Sequence, residues 1–118
     1  MSLKIYHNPR CSKSRKTLEI IREASVEPTI VLYLQDTPAA AEILDIAAKL
    51  GKPLAELLRR GEADFKEAGD LPDLADDAAL AEWLESHPVV LERPIVVDMD
   101  TGRAVVGRPP ENVSELLS

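Results

Sequence analysis

The 118-residue sequence predicts a single α/β domain, in which a mixed sheet of about four strands is interrupted by an all-helical insertion. Three observations lead to this prediction. A strand signal, a helix signal and a second strand signal open the chain. Helical periodicity without strand signals then occupies residues 37–87, and two further strand signals and a last helix close the sequence. We therefore assign the core to residues 1–36 and 88–118 and the insertion to residues 37–87.

The opening elements have the pattern of a βαβ unit. Leu3–Tyr6 is a short apolar run, and the helix predicted from about Ser12 to Ala24 carries Leu18 and Ile21 on one face. The run Thr29–Leu34 is apolar and rich in β-branched residues, as expected of a strand covered on both faces. The two strands should be parallel, with a right-handed crossover.

The insertion contains start and stop signals for several helices. Thr37-Pro38 supplies an N-cap followed by proline at the first helical position, and Gly51 is a C-terminal stop. A short helix is predicted after Pro53. Asp76-Asp77 can cap a longer helix that ends near His87.

The closing elements complete a thioredoxin-like fold. Pro94–Val97 and Ala104–Val106 are predicted strands of a hairpin, joined by the turn Asp100-Thr101-Gly102, and Pro109-Pro110 opens the final helix. In thioredoxin-like folds the proline that begins this third strand is commonly cis. By analogy we expect Pro94 to be the cis-proline, beside the active cysteine.

The composition excludes several classes of function. Twenty-one acidic residues exceed fourteen basic ones, and a net charge of −7 opposes nucleic acid as the main partner. No apolar run has the length of a membrane span, and no secretory signal is visible. One cysteine and two separated histidines cannot build a typical zinc site or an internal disulfide. We expect a soluble, cytoplasmic monomer without a metal.

The single cysteine is the first candidate for chemistry. Cys11 lies where the first strand meets the first helix, so it should face unpaired backbone N–H groups and the positive end of the helix dipole. Four nearby cations add to this field: Arg10, Lys13, Arg15 and Lys16. Both effects favour the thiolate, which is the nucleophilic form. By composition alone, however, such a cationic run is commonly a solvated face.

Three arginines are candidate anion ligands. Arg59, Arg93 and Arg108 lie where loops meet the ends of predicted elements. A guanidinium presents its donors in a planar fork, and several of them can surround a tetrahedral oxyanion. Gly107 allows the backbone beside Arg108 to approach a neighbour closely.

Several stretches together resemble the ArsC-type arsenate reductases that couple to glutathione and glutaredoxin. They occur in the family's order over nearly the whole chain: residues 7–15 (HNPRCSKSR), 27–30 (EPTI), 57–59 (LLR), 93–97 (RPIVV) and 107–109 (GRP). The resemblance is to the short ArsC-like branch, because well-studied arsenate-reducing members carry a longer C-terminal tail.

The resemblance implies a role for each site residue. It makes Cys11 the nucleophile and Arg59 (rather than Arg60), Arg93 and Arg108 the oxyanion ligands. The matching residues of the supporting loop are His7, Asn8, Ser14 and Arg15. The role of His7 is left open between lowering the cysteine pKa, ordering the loop and simple packing.

The resemblance also implies the reaction. Cys11 thiolate would attack arsenate, glutathione would act as co-substrate, glutaredoxin would reduce the mixed species and arsenite would leave, with no bound cofactor. An external thiol fits a chain with one cysteine. The Cys-x5-Arg loop of thioredoxin-coupled reductases is absent, because Thr17 stands where its arginine would be.

Two alternatives remain. A Spx-like regulator shares this fold and binds RNA polymerase, but that group typically carries Cys-x-x-Cys, and here Ser14 replaces the second cysteine. A monothiol, glutaredoxin-like enzyme could instead use the arginines to bind glutathione carboxylates.

Overall fold

A computed structural model describes residues 1–117. The chain divides into two compact units: Met1–Asp36 with the segment from Arg93 onward, and Thr37–Glu92. The first unit contains the sheet. The second contains the helical insertion, which lies between the second and third strands as predicted and extends beyond the expected boundary at residue 87.

The sheet has four strands in the order β2-β1-β3-β4. They are β1 (Leu3–Tyr6), β2 (Thr29–Val31), β3 (Ile95–Asp98) and β4 (Ala104–Val106). β1 pairs in parallel with β2 and antiparallel with β3, and β3 and β4 form the antiparallel hairpin. The predicted mixed sheet is therefore confirmed.

Helices complete both units. In chain order they are α1 (Ser12–Glu23), α2 (Ala40–Leu50), α3 (Ala63–Lys66), α4 (Asp77–Ser86) and α5 (Ser114–Leu117). Single 3₁₀ turns occur at Leu54–Leu57, Pro88–Val90 and Pro110–Val113.

The core of the first unit lies between the central strands and the apolar face of α1. Ile5 of β1 and Val96 of β3 are fully buried, and Leu18 and Ile21 of α1 pack in the same cluster. All four residues of β3 are buried, as expected of a strand at the centre of the sheet. This packing fixes the start of α1 next to the end of β1.

The second strand is shorter and more exposed than predicted. The prediction of a strand over Thr29–Leu34, covered on both faces, was wrong: β2 ends at Val31 and Ile30 remains 37% exposed. Within residues 1–117, β2 is an edge strand that pairs with β1 alone. The ladder ends because the chain leaves β1 after His7, whose N–H donates to the Val31 carbonyl at 2.8 Å. Tyr33 lies in the turn that follows β2, and its side chain is buried.

The helical unit confirms two of its predicted helix signals and corrects a third. Asp76 caps α4 by accepting a hydrogen bond from the Ala79 N–H at 3.1 Å, and Gly51 ends α2 with φ +67°. The expected start of α2 at Thr37-Pro38 was wrong, because its N-cap is Ala39. The side chain of Glu85 accepts a hydrogen bond from the Ala40 N–H and so supplies the acceptor that an N-cap alanine lacks.

Candidate active site

Cys11 is the N-cap of α1. Its φ of −92° and ψ of 121° are extended, so the chain turns into the helix immediately after it. The Cys11 N–H donates to the Asn8 carbonyl at 3.0 Å, and its carbonyl accepts from the Arg15 N–H at 3.0 Å. These bonds hold a partly exposed thiol at the helix N-terminus.

The surroundings of the sulfur favour the thiolate. Partial burial raises the pKa of Cys11, but the backbone N–H of Ser14, the side chain of Arg93 and the backbone N–H of Lys13 lower it by a larger total. The pKa of Cys11 therefore lies below its ordinary value. In the part of the chain that the structure describes, the Cys11 side chain makes no capping hydrogen bond, so the N–H groups of Lys13 and Ser14 gain an acceptor when the sulfur ionises.

A buried hydrogen-bond network holds the loop before Cys11. Ser14 Oγ, which is fully buried, lies 2.6 Å from His7 Nδ1 and accepts from the Asn8 N–H at 3.1 Å. Asn8 Oδ1 in turn accepts from the Arg10 N–H at 3.0 Å. The exposed Arg15 also bonds to this loop, donating from Nη1 to the Pro9 carbonyl at 2.9 Å. Loop residues that lie apart in sequence are thus joined into one rigid turn.

The network favours an ordering role for His7. Burial lowers the pKa of His7, and the positive charges of Arg22 and Arg15 lower it further, so the neutral imidazole is favoured. A neutral Nδ1 can accept the hydroxyl hydrogen of Ser14. A neutral ring supplies no positive charge to stabilise the Cys11 thiolate.

Two Arg-Pro steps belong to the same unit as Cys11. The Arg93–Pro94 bond is cis, the isomer expected there, and a hydrogen bond from the Arg93 side chain lowers the pKa of Cys11. The Arg108–Pro109 bond is also cis, which we did not predict although the same dipeptide occurs at both places. Arg108 Nη1 donates to the Arg93 carbonyl at 3.3 Å. The first unit therefore brings together Cys11, Arg93 and Arg108.

Gly107 packs closely against Thr17 and Pro94. A Cβ at this position would lie 2.5 Å from Thr17 Oγ1 and 2.8 Å from Pro94 Cγ. The Gly107 N–H donates to the Pro94 carbonyl at 2.8 Å, and the Thr17 hydroxyl is held by the Lys13 carbonyl. The close approach explains why a glycine precedes Arg108.

Gly107→Ala is expected to destabilise the fold by about 1–3 kcal/mol, since the added methyl group overlaps backbone-anchored neighbours. Urea unfolding would measure the loss. Gly61→Ala is the control, because a Cβ at Gly61 meets no atom within 4 Å. Equal stability of the two variants would contradict the close packing.

The third predicted ligand, Arg59, belongs to the helical unit. It donates from Nε to Glu62 at 3.3 Å and from Nη1 to Glu92 at 3.1 Å. The neighbouring Arg60 is exposed, donates to the Ala55 carbonyl and lies over a phenyl ring. We predicted neither glutamate. The i,i+3 spacing of Arg59 and Glu62 is a local signal that could have identified that pair, whereas no local sequence pattern connects Arg59 with Glu92.

Two clefts flank the cysteine loop, with Pro9 lining both. One, of about 550 Å³, is also lined by Arg15 and Arg22. The other, of about 450 Å³, contains Arg10 and the exposed side chain of Leu34. Both therefore combine apolar surface with cations, and the first also contains the carboxylates of Glu19 and Glu23.

Residues 1–117 contain no group of three or more His, Cys, Asp or Glu side chains arranged to hold a metal ion. None of the helices over the same residues has the length and apolar character needed to cross a membrane.

The mixed sheet, the cis-proline that follows Arg93 and the helix that begins after Cys11 define a thioredoxin-like protein with a single-cysteine site. Residues 6–116 match the ArsC family. The chain belongs to that family.

Individual relatives are similar over almost their whole length. The uncharacterised protein YfgD of Escherichia coli K12 is 45% identical, with 98% of this chain and 96% of the relative covered. An arsenate reductase of Neisseria meningitidis is 44% identical, with 98% and 97% covered. The solved structure of an arsenate reductase from Vibrio cholerae is 38% identical, with a TM-score of 0.86 over 98% of this chain and 97% of that one.

Proposed function

We propose that this protein is an arsenate reductase, with Cys11 as the nucleophile and glutathione and glutaredoxin as external reductants. The observation that carries the proposal is the position of the Cys11 thiol at the N-terminus of α1, where a hydrogen bond from Arg93 lowers its pKa. The names of its relatives support arsenate as the substrate. A reducing cytoplasm would supply the thiols.

The reaction begins with the oxyanion. Arg93, Arg108 and Arg59 bind it as the three cationic ligands, and Cys11 thiolate attacks arsenic. A sulfur–arsenic bond forms, and one arsenate oxygen, protonated from solvent, leaves as water as its bond to arsenic breaks. The arginines stabilise the negative charge on the remaining oxygens.

The second half needs a thiol from outside. Glutathione thiolate attacks the Cys11 sulfur, and the sulfur–arsenic electron pair passes to arsenic, which is reduced from As(V) to As(III) and leaves as arsenite. The two sulfurs end as a mixed disulfide, which glutaredoxin reduces to restore Cys11. The clefts beside Pro9 support this step, because Arg10 and Arg15 offer cations to the glutathione carboxylates.

NADPH oxidation tests the proposal directly. With glutathione, glutaredoxin and glutathione reductase supplied, arsenate should produce NADPH oxidation that depends on this protein, and omission of glutaredoxin should abolish it. The Spx-like alternative predicts instead a stable complex with RNA polymerase and no turnover. Failure of arsenate to support oxidation, with Cys11 still readily alkylated at neutral pH, would show that arsenate is not the substrate.

A further inference from the structure

Arg59 is held by two carboxylates within the helical unit. Its Nε–H donates to Glu62 Oε1 and one Nη1–H donates to Glu92 Oε1. All three side chains are only 23–27% exposed. Of the five guanidinium hydrogens, two are thus used. Within residues 1–117, no protein group accepts from Nη2 of Arg59.

The backbone fixes this arrangement. Leu58 and Leu91, both buried, form an antiparallel bridge between two distant segments of the helical unit. The Arg59 N–H donates to the Val90 carbonyl at 2.6 Å, and the Glu92 N–H donates to the Leu57 carbonyl at 2.8 Å. The bridge thereby places Arg59 and Glu92 across from each other.

Holding an arginine in place before a ligand arrives has a defined benefit. A free guanidinium loses rotamer freedom on binding, and that loss weakens affinity. In Arg59, the Glu62 and Glu92 bonds restrict the side chain in advance while Nη2 keeps both hydrogens for an acceptor. The cleft that contains these three residues has a volume of about 450 Å³, enough for a small oxyanion.

We propose that Glu62 and Glu92 are positioning residues that hold Arg59 ready to bind the substrate oxyanion. This inference rests on the proposed role of Arg59 as an oxyanion ligand. The negative charge of the two carboxylates opposes an anion, so their benefit comes from the hydrogen bonds they accept. A side chain that keeps the acceptor and loses the charge should therefore preserve affinity.

The test measures arsenate binding without turnover. Arsenate alone, with no reducing thiol, is titrated against the rate at which iodoacetamide alkylates Cys11, and the protection gives a Kd. Glu92→Ala and Glu62→Ala are each expected to raise this Kd by roughly two- to tenfold, because Arg59 regains rotamer freedom that it must then lose on binding arsenate. Glu92→Gln, which can still accept from Nη1, is expected to remain at the wild-type Kd or below it.

A double-mutant cycle separates positioning from a general effect on the fold. In an Arg59→Ala background, Glu92→Ala should leave the Kd unchanged, because the proposed effect of the glutamate on the oxyanion passes through Arg59. Glu82→Ala removes a carboxylate from the exposed surface of α4 and is the matched control. Thermal unfolding of each variant verifies that it folds.

Each outcome decides the inference. It is overturned if neither alanine variant changes the Kd, if the Glu92→Ala effect persists without Arg59, or if Glu92→Gln binds as weakly as Glu92→Ala. Absence of arsenate protection in the wild-type protein would overturn both this inference and the proposed function, whereas wild-type protection with unchanged variants would overturn this inference alone.

Discussion

Cys11→Ser is expected to reduce arsenate-dependent NADPH oxidation to the level seen without the protein. A serine hydroxyl stays protonated near neutral pH and forms no sulfur–arsenic bond, so both halves of the proposed reaction lose their reacting atom. The fold should survive, because serine has nearly the shape of cysteine and the position is only partly buried. The coupled assay measures the loss of activity, and thermal unfolding measures the stability.

Ser86→Ala provides a control for Cys11→Ser, since Ser86 is exposed at the end of α4. It should retain full activity. Arsenate turnover by the Cys11→Ser variant above the protein-free rate would show that another group is the nucleophile.

Arg93→Ala is expected to raise the pKa of Cys11. Burial raises this pKa in both proteins, but the variant loses the hydrogen bond and the positive charge of Arg93, which favour the thiolate in the wild type. The alkylation rate follows the thiolate fraction, so it rises with pH and levels off above the pKa. The whole curve should move to higher pH in the variant, and alkylation at neutral pH should become several-fold slower.

Iodoacetamide alkylation measured across a pH series, without any oxyanion, tests this shift. Arg103→Ala is the matched control, because Arg103 lies exposed in the β3–β4 hairpin and does not contribute to the Cys11 pKa. Its curve should coincide with that of the wild type. If the Arg93→Ala curve also coincided with the wild-type curve, the proposed effect of Arg93 on the pKa of Cys11 would be refuted.

The sheet, α1 and the position of the cysteine could be predicted because local signals agree with the tertiary environment. β3 is apolar at almost every position and is buried on both faces. The spacing of Leu18 and Ile21 identifies the face of α1 that packs in the core. Cys11 lies between these two kinds of pattern, so its place at the helix start followed from the sequence.

The errors arose where a neighbouring segment decides the structure. Thr29–Leu34 has the composition of a longer strand, but β2 ends where β1 leaves the sheet. The composition of one segment does not show where its partner strand ends. The start of α2 was wrong for a similar reason. Thr37 is a good N-cap residue, yet α2 begins at Ala40, whose N–H donates a hydrogen bond to the Glu85 side chain.

The site itself was predictable only in part. The residues of the cysteine loop are contiguous, and each Arg-Pro step is visible as a dipeptide. Of the two partners of Arg59, Glu92 was not visible, because it comes from a segment 33 residues away and is brought near by the Leu58–Leu91 bridge. Local sequence rules describe neither that bridge nor the pairing it creates.

The N-cap position of Cys11 has a consequence for the last step of the proposed cycle. When glutaredoxin attacks the glutathione sulfur of the mixed disulfide, Cys11 becomes the leaving group, and a thiol of lower pKa departs faster. The backbone N–H groups of Lys13 and Ser14, together with Arg93, stabilise the sulfur anion as it departs. The start of α1 would therefore assist the enzyme's regeneration as well as its first attack.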